Sequence, residues 1–316
     1  MIQMSLSRTR PHLYDPRLGT DAIRIDELVT GTKATEPART NYFSIYWIEA
    51  GNGEFWADAT RCSFSPATLL FFIPYQYIRI VPAAAVRGSV VQFHANFLCV
   101  ETFHAESGCA GTLFNDAYQP PVVALNKTAQ RDVANILKRM HNEQRTRSLA
   151  FEEMLLAQLK ILLILATRLK AKSTEACSTG GLHPRHPLLA TLKELIDQQF
   201  ATPSDYAKLL HVSPKTLGRV VREQLGKSLT DLIRERILTH AKWQLLHTLK
   251  PIKEVAREVG FTDELYFSRM FKKATGYSPT FFREFETEIR GGSNLSMLSS
   301  PAPILARGHA ADNSGS

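Results

Sequence analysis

Residues 256–278 read AREVGFTDELYFSRMFKKATGYS, and residues 207–228 read AKLLHVSPKTLGRVVREQLGKS. Ala207 and Ala256 lie 49 residues apart, and the apolar residues of the second helices, such as Leu217 and Phe267, lie 50 apart. A small residue lets two helices cross closely, and a serine or threonine after a turn caps the next helix. The repeat therefore predicts two helix-turn-helix units, with Ser213 and Thr262 as the caps of their second helices.

The second helix of each unit has an apolar face and a polar, mostly basic face. The apolar positions are Leu217, Val220 and Val221 in the first unit and Phe267, Met270 and Phe271 in the second. The polar positions are Lys215, Arg219 and Arg222 in the first unit and Glu264, Ser268, Arg269, Lys272 and Lys273 in the second. A helix with one buried face and one basic face suits the major groove of double-stranded DNA.

The residues between the two units, 229–247, have the composition of one continuous helix. At 1.5 Å per residue such a helix spans roughly 28 Å. Successive major-groove openings on one face of DNA lie about 34 Å apart. We therefore expect the linking helix to place both recognition helices in adjacent grooves of a single site.

The stretch from Ile252 to Pro279, together with Arg283, closely resembles the signature of the AraC/XylS family of bacterial transcription regulators. The resemblance covers about residues 187–284, a third of the chain. It implies base contacts from residues of both recognition helices, namely Lys215, Gly218, Arg219, Glu264, Leu265, Ser268 and Arg269. Gly218 departs from the long polar residue usual in the family, so we expect the first helix to read fewer bases. We expect phosphate contacts from Arg222, Lys272 and Lys273.

The N-terminal half has the pattern of an all-β region. Residues 42–123 contain short runs rich in β-branched and aromatic residues, separated by turns such as Gly51-Asn52-Gly53. This spacing predicts a β-sandwich or barrel. The region is also similar, more loosely, to the cupin-like effector domain of the same family, because a strand, a Gly-x-Gly turn, a second strand and an apolar run ending at Pro74 follow in order.

The chain is therefore predicted to have an α+β multidomain fold, with an N-terminal cupin-like β-barrel, appended helices and a C-terminal all-α double helix-turn-helix domain. The predicted segments are an effector domain (1–125), helical dimerisation elements (126–171), a linker (172–185), a DNA-binding domain (186–290) and a disordered tail (291–316). A leucine-rich stripe at helical spacing marks residues 154–165. It fits both a helix that covers the open face of the barrel and a helix that forms a dimer interface.

Aromatic residues are concentrated on the predicted strands. A barrel mouth lined by tyrosine and tryptophan suits a small organic effector, and we expect Tyr46, Trp47, Trp56, Tyr75 and His94 to bind it. The alternative is a barrel that fills its interior with its own side chains. Related effector domains commonly contain a Pro-Gly-x-x-His segment, which here reads Pro74-Tyr75-Gln76-Tyr77-Ile78 and lacks both glycine and histidine.

Catalytic and metal-binding patterns are missing from the sequence. His94 and His104 are ten residues apart, no His-x-His motif occurs, and the cysteines form no CxxC pair at Cys62, Cys99, Cys109 or Cys177. We expect no catalytic residue, metal or cofactor, and therefore no enzyme. Two alternatives stay open: a cupin-type metalloenzyme fused to a DNA-binding domain, and an effector-independent regulator controlled by a protein partner.

The overall charge agrees with a nucleic-acid partner, since the formal net charge is +8. The most apolar stretch, 161–166, is too short to span a bilayer, and the polar, basic first ten residues do not have the pattern of a secretory signal. We therefore expect a cytoplasmic homodimer without membrane contacts. Its expected partners are double-stranded DNA, a small-molecule effector and RNA polymerase.

Overall fold

The structure is a computed structural model that describes residues 13–100, 113–114, 118–179, 187–198, 200 and 202–291, without the side chains of 173–179. The tail predicted at 291–316 lies outside the described residues apart from Gly291. The described part contains an N-terminal domain built on β-sheets and a C-terminal domain built of helices.

The strands of the N-terminal domain form two antiparallel sheets. They are β1 (Ile23–Thr30), β2 (Phe43–Ala50), β3 (Gly53–Ala57), β4 (Thr60–Phe64), β5 (Thr68–Phe72), β6 (Ile78–Pro82), β7 (Val86–Phe93) and β8 (Val122–Ala124). One sheet has the order β1-β7-β2-β5-β8 and the other has the order β4-β3-β6. Among the described strands no pairing closes these sheets into one barrel, so the cupin-like barrel is not confirmed.

Strand β5 shows how the sequence pattern fits this arrangement. All five of its residues are buried, because both of its faces are covered. Leu70 and Phe72 point into the apolar layer between the two sheets, where they meet Phe55 of β3. Leu69 and Phe71 point to the other face of the five-stranded sheet, where helices pack.

Two helices, α1 (Lys127–Thr146) and α2 (Phe151–Thr179), cover that second face of the five-stranded sheet. The buried leucines of α2 therefore pack within this chain, as one of the two interpretations predicted. Helix α2 also continues to Thr179, so the first part of the segment predicted as a linker, 172–185, is helical. Residues 172–179 contain neither glycine nor proline, and the first glycine comes only at Gly180, so no strong helix breaker ends the helix earlier. Residues 180–185 lie outside the described residues.

The C-terminal domain consists of α3 (Pro187–Gln198), α4 (Pro203–Leu209), α5 (Pro214–Leu225), α6 (Leu229–His247), α7 (Ile252–Glu258), α8 (Glu264–Thr275) and α9 (Pro279–Ile289). Helices α4 and α5 form the first helix-turn-helix unit, and α7 and α8 form the second. Each unit has its own apolar core, and the long helix α6 contributes Leu232 to the first and Leu245 to the second. One helix therefore fixes both units relative to each other.

The N-terminal domain packs against α6 and the second unit. The ring of Tyr75 is buried in the apolar core of the second unit. Asn96 Nδ2 donates a hydrogen bond to the carbonyl of Ile289, at 2.7 Å, at the end of α9. Tyr14 and Tyr42 form a small apolar cluster with the same Ile289. The second unit is thus held directly by the N-terminal domain.

Candidate nucleic-acid interface

Each recognition helix begins at a side-chain cap. Ser213 Oγ accepts a hydrogen bond from the backbone N–H of Thr216 at 3.1 Å, at the start of α5. Asp263 Oδ1 accepts one from the backbone N–H of Leu265 at 2.7 Å, at the start of α8. The cap of α8 is therefore Asp263, and the prediction of Thr262 is wrong. Since Ser213 and Asp263 are 50 residues apart, the extra residue of the second repeat lies in the turn.

The apolar faces of both recognition helices are buried as predicted, except that Met270 is half-buried. Leu217 and Val221 of α5, and Phe267 and Phe271 of α8, are fully enclosed in their respective cores. The opposite face presents exposed basic side chains from Lys215, Arg219, Arg222, Arg269, Lys272 and Lys273. Glu264, Gly218 and Ser268 are half-buried, and Leu265 is 71 % exposed. The predicted DNA contacts therefore share the exposed sides of two helices joined by α6.

Gly218 lies in the middle of α5, at the position equivalent to Ser268 of α8. A Cβ added to Gly218 would meet no atom within 4 Å. The glycine is therefore not required by packing within the protein. Its effect is to leave a side-chain gap in the surface of the first recognition helix.

A buried ion pair fixes the end of α5 against α6. Lys227 Nζ lies 2.6 Å from Glu235 Oε2. Thr60, from the N-terminal domain, donates a hydrogen bond to the other oxygen of Glu235 at 3.2 Å. Burial raises the pKa of Glu235, although the Lys227 charge opposes that shift. This contact joins the first recognition helix, the linking helix and the β-sheets.

A second contact joins the N-terminal domain to the C-terminal end of α8. Arg39 Nε donates a hydrogen bond to the carbonyl of Ala274 at 3.1 Å. The guanidinium also lies over the ring of Tyr77, 5.3 Å from its centroid. A cation is favourable at a helix C-terminus, where carbonyl groups have no partner within the helix. The N-terminal domain therefore supports the second recognition helix at its end.

A buried carboxylate lies where α9 meets the β-sheets. Glu286 Oε1 accepts hydrogen bonds from Tyr75 Oη and, at 3.4 Å, from Asn41 Nδ2. Its other oxygen lies 3.3 Å from His94 Nε2 and 3.1 Å from an Arg290 nitrogen. Burial opposes ionisation of Glu286, but the hydrogen bond from His94 and the charges of His94 and Arg290 outweigh it and lower the pKa to about 2. We name these five residues the Glu286 cluster.

The five residues expected to bind an effector do not share one pocket. Tyr46 packs beside the layer between the sheets, and Trp47 packs on the face covered by helices. The ring of Trp56 stacks with two arginine guanidinium groups. Tyr75 and His94 meet at Glu286. Tyr75 also lines a cavity of about 800 Å³ between the two domains, which we name the interdomain cavity.

Sequence reasoning missed Glu286, although two signals mark this contact. Phe282, Glu286 and Ile289 are all buried at helical spacing on α9, so Glu286 is a charged residue within an apolar stripe. Tyr75 stands where related domains commonly have glycine, and its backbone has the left-handed φ of 63°. A charged residue on a buried face and a strained tyrosine both indicate a contact outside their own element.

None of the described helices is long and apolar enough to cross a membrane. In the same part of the chain, no group of three or more histidine, cysteine, aspartate or glutamate side chains is arranged to hold a metal ion.

Comparison with known proteins places the clearest similarity in the C-terminal domain. Residues 206–284 match the family model described as a helix-turn-helix domain. The arabinose operon regulatory protein of Escherichia coli is 44% identical over 89 residues, which cover 28% of this chain and 30% of that protein. The transcriptional activator RhaR of Klebsiella pneumoniae is 25% identical over 181 residues, covering 56% of this chain and 63% of that protein. The match thus spans about a third of the length of the arabinose regulators.

Some solved structures are similar to about a third of this chain, and others are similar to most of it. The C-terminal domain of AraT, a response regulator from Geobacillus stearothermophilus, is 34% identical with a TM-score of 0.31 and covers 32% of this chain and 88% of that chain. ToxT from Vibrio cholerae O395 is 13% identical with a TM-score of 0.36 and covers 84% of this chain and 98% of that chain.

Proposed function

Because residues 206–284 form a helix-turn-helix domain of the AraC type, we propose that the protein is a sequence-specific DNA-binding transcription regulator. The observation that carries this proposal is the matched pair of recognition helices. Each helix is capped at its start, buried on one face and basic on the other, and one long helix holds the two together. At 1.5 Å per residue the linking helix spans roughly 28 Å, which suits adjacent major grooves about 34 Å apart.

Within this proposal, the two halves of each recognition helix have different tasks. Side chains in the N-terminal half contact base edges: Lys215, Arg219, Glu264, Leu265, Ser268 and Arg269. Gly218 offers only its backbone. Arg222, Lys272 and Lys273 lie towards the helix ends and contact phosphates, which fix the register without reading the sequence.

The N-terminal domain is proposed to regulate how the recognition helices are presented. Support comes from its contacts, since Arg39 holds the end of α8 and Glu286 fixes α9 against the β-sheets. A small-molecule effector or a protein partner that binds this domain would change the population of that arrangement. The curated relatives named above are regulators, and we propose that this chain likewise acts on DNA in the cytoplasm and is not an enzyme.

We further propose that the chain acts as a homodimer. Helix α2 packs one face on the β-sheet. On another face, Met154 and Ile161 are 47% and 50% exposed, and they lie two helical turns apart. Exposed apolar residues at this spacing form the seam of a helix pair. Two chains paired through α2 would present four recognition helices to one operator.

Selection of binding sites from a random double-stranded DNA pool tests the main proposal. The full chain is expected to enrich one motif, and its affinity should fall with salt with a log–log slope of about −0.9 per phosphate contact. Arg87→Ala is the matched control, because it removes an exposed arginine of β7, far along the chain from the recognition helices. A chain that enriches no motif, or binding that salt does not weaken, would contradict the proposal.

A further inference from the structure

The interdomain cavity is formed by both domains together. The turn from β3 to β4 supplies Asp58, and the segment after β5 supplies Tyr75 and Tyr77. Helices α6 and α8 supply the opposite wall, which includes Lys242 and Arg269. A volume of about 800 Å³ is within the range of small-molecule sites, about 300–1,000 Å³. A ligand in this space would therefore touch the β-sheets and the second recognition helix at once.

Lys242 of α6 is the polar group in this wall that most needs a partner. Its ammonium has three N–H donors, and it donates one hydrogen bond, of 3.0 Å, to the carbonyl of Pro74. Among the described residues no carboxylate lies within 4.0 Å of Lys242 Nζ. Burial disfavours the charged form and lowers the pKa of Lys242 to about 8. A half-buried ammonium in a cavity wall, with no carboxylate of the described residues within 4.0 Å, is an attractive site for an anion.

The charged residues around the cavity also favour an anionic ligand. Seven basic residues line it, against three acidic ones. Two of the acids, Asp231 and Glu235, are already paired with Arg234 and Lys227 at 3.2 and 2.6 Å. The third, Asp58, accepts a hydrogen bond from the Tyr77 backbone at 2.9 Å, and burial raises its pKa. The cavity therefore has an excess of positive charge.

Most of the rest of the lining is apolar or aromatic, and its uncharged polar members are Thr60, Gln76, Gln119, Gln224, Thr239 and Thr275. Its apolar members include Phe71, Ile73, Phe114, Leu238 and Met270. These side chains offer a large surface to a hydrocarbon group and nothing that would bind a second charge. A purely inorganic anion would leave this surface in contact with water, whereas a neutral apolar molecule would leave Lys242 without a partner.

We propose that the interdomain cavity binds an organic anion with an apolar body, whose charged group accepts hydrogen bonds from Lys242. Because Arg269 and Lys273 of α8 belong to the same wall, the bound anion holds the second recognition helix against the N-terminal domain. This regulatory consequence rests on the proposed DNA-binding function, whereas the binding of the anion does not.

The dye pair 1-anilinonaphthalene-8-sulfonate and N-phenyl-1-naphthylamine tests the proposal on the full chain, because the two differ by one sulfonate group. In the absence of DNA, the sulfonate is expected to bind one per chain and more tightly than the neutral dye. Lys242→Met should weaken the sulfonate about tenfold, as expected for a lost charged hydrogen bond, and leave the neutral dye unchanged. Lys253→Met, which removes an exposed lysine of α7, is the matched control and should change neither affinity.

A second variant guards against a simple loss of folding. Asp58→Asn keeps the acceptor for the Tyr77 backbone but removes a negative charge that acts on Lys242, so it should tighten binding of the sulfonate. Equal binding of the two dyes, or sulfonate affinity unchanged by both Lys242→Met and Asp58→Asn, would overturn the proposal. On the selected DNA site, saturating sulfonate should alter the affinity of the wild-type chain and not that of Lys242→Met. An unaltered wild-type affinity would overturn the regulatory consequence alone.

Discussion

The two helix-turn-helix units follow one backbone plan but differ in their surroundings. Both recognition helices begin at a polar cap and end at a left-handed glycine, Gly226 or Gly276. The first unit packs mainly within its own domain, whereas the core of the second takes in Tyr75 from the β-sheets. Both units therefore contact the N-terminal domain, the first through the polar contact of Thr60 with Glu235 and the second through its apolar core.

The difference extends to the turn between the helices. In the second unit Gly260 has a φ of 89°, and in the first the equivalent His211 has a φ of 54°. Glycine adopts this left-handed backbone freely, whereas other residues do so at some cost. The first unit thus tolerates a strained turn and a glycine inside its recognition helix. The first unit therefore keeps the backbone geometry of the second although His211 and Gly218 are less favourable residues at their positions.

The largest effect is expected at the Glu286 cluster, which attaches the second unit to the N-terminal domain. The pKa of Glu286 is lowered from 4.5 to about 2, so the folded state favours its ionised form. The resulting stability, about 3 kcal/mol, is present above pH 4.5 and is lost as the pH falls towards 2. Glu286→Gln should remove this part of the pH dependence, measured by urea unfolding at pH 7, 5, 4 and 3.

Glu223→Gln is the control, because Glu223 is an exposed carboxylate of the first recognition helix. It should leave the pH profile of the wild-type chain unchanged. If Glu286→Gln shows the same loss of stability in acid as the wild-type chain, the ionised cluster does not stabilise the contact between the domains.

The local structure of both units could be predicted from the sequence, and the attachment of the second could not. Apolar spacing and helix caps are local signals, so they predicted α5, α6 and α8 and the faces that they bury. The one misplaced cap, Thr262, differs by one residue because the insertion lies in the turn. Tyr75, a partner of Glu286, and Pro74, the partner of Lys242, come from the turn after β5, 211 and 168 residues away. No local pattern specifies a pairing over that distance.

The five aromatic and histidine residues expected in one effector site illustrate the same limit. Their residue types suggested a pocket, but alternation along the strands sends neighbours such as Tyr46 and Trp47 to opposite faces. Tyr75 and His94 do meet, at a carboxylate from the other domain. Their placement depends on how the two domains pack, which neither sequence segment encodes alone.

An intermediate effect is expected when the equivalent arginines of the two recognition helices are exchanged for alanine. Arg269→Ala should weaken binding to the selected site by about 1–3 kcal/mol and relax the preference at one base. Arg219→Ala should have a similar effect at a second base, in the adjacent major groove that the first recognition helix occupies. Lys273→Ala should weaken all sequences alike, because a phosphate contact does not read bases.

Competition titrations with the selected site and single-base variants measure these differences. Arg87→Ala again serves as the control for loss of positive charge alone. If the base preferences stay unchanged in both Arg269→Ala and Arg219→Ala, the two helices do not read bases through these arginines. The proposal that the two units contact DNA through equivalent arginines would then be wrong.

The smallest effect is expected at Gly218, and it measures how far the first unit departs from the second. Gly218 has an ordinary helical backbone and open space beside it. Gly218→Ala should therefore stabilise the domain by up to about 1 kcal/mol, because alanine loses less backbone freedom when the helix forms. Gly226→Ala is the matched contrast: its φ of 69° is strained for alanine, so this variant should be destabilised by about 1 kcal/mol. Urea unfolding of both variants compares them, and a destabilised Gly218→Ala would mean that the glycine has a structural role in α5.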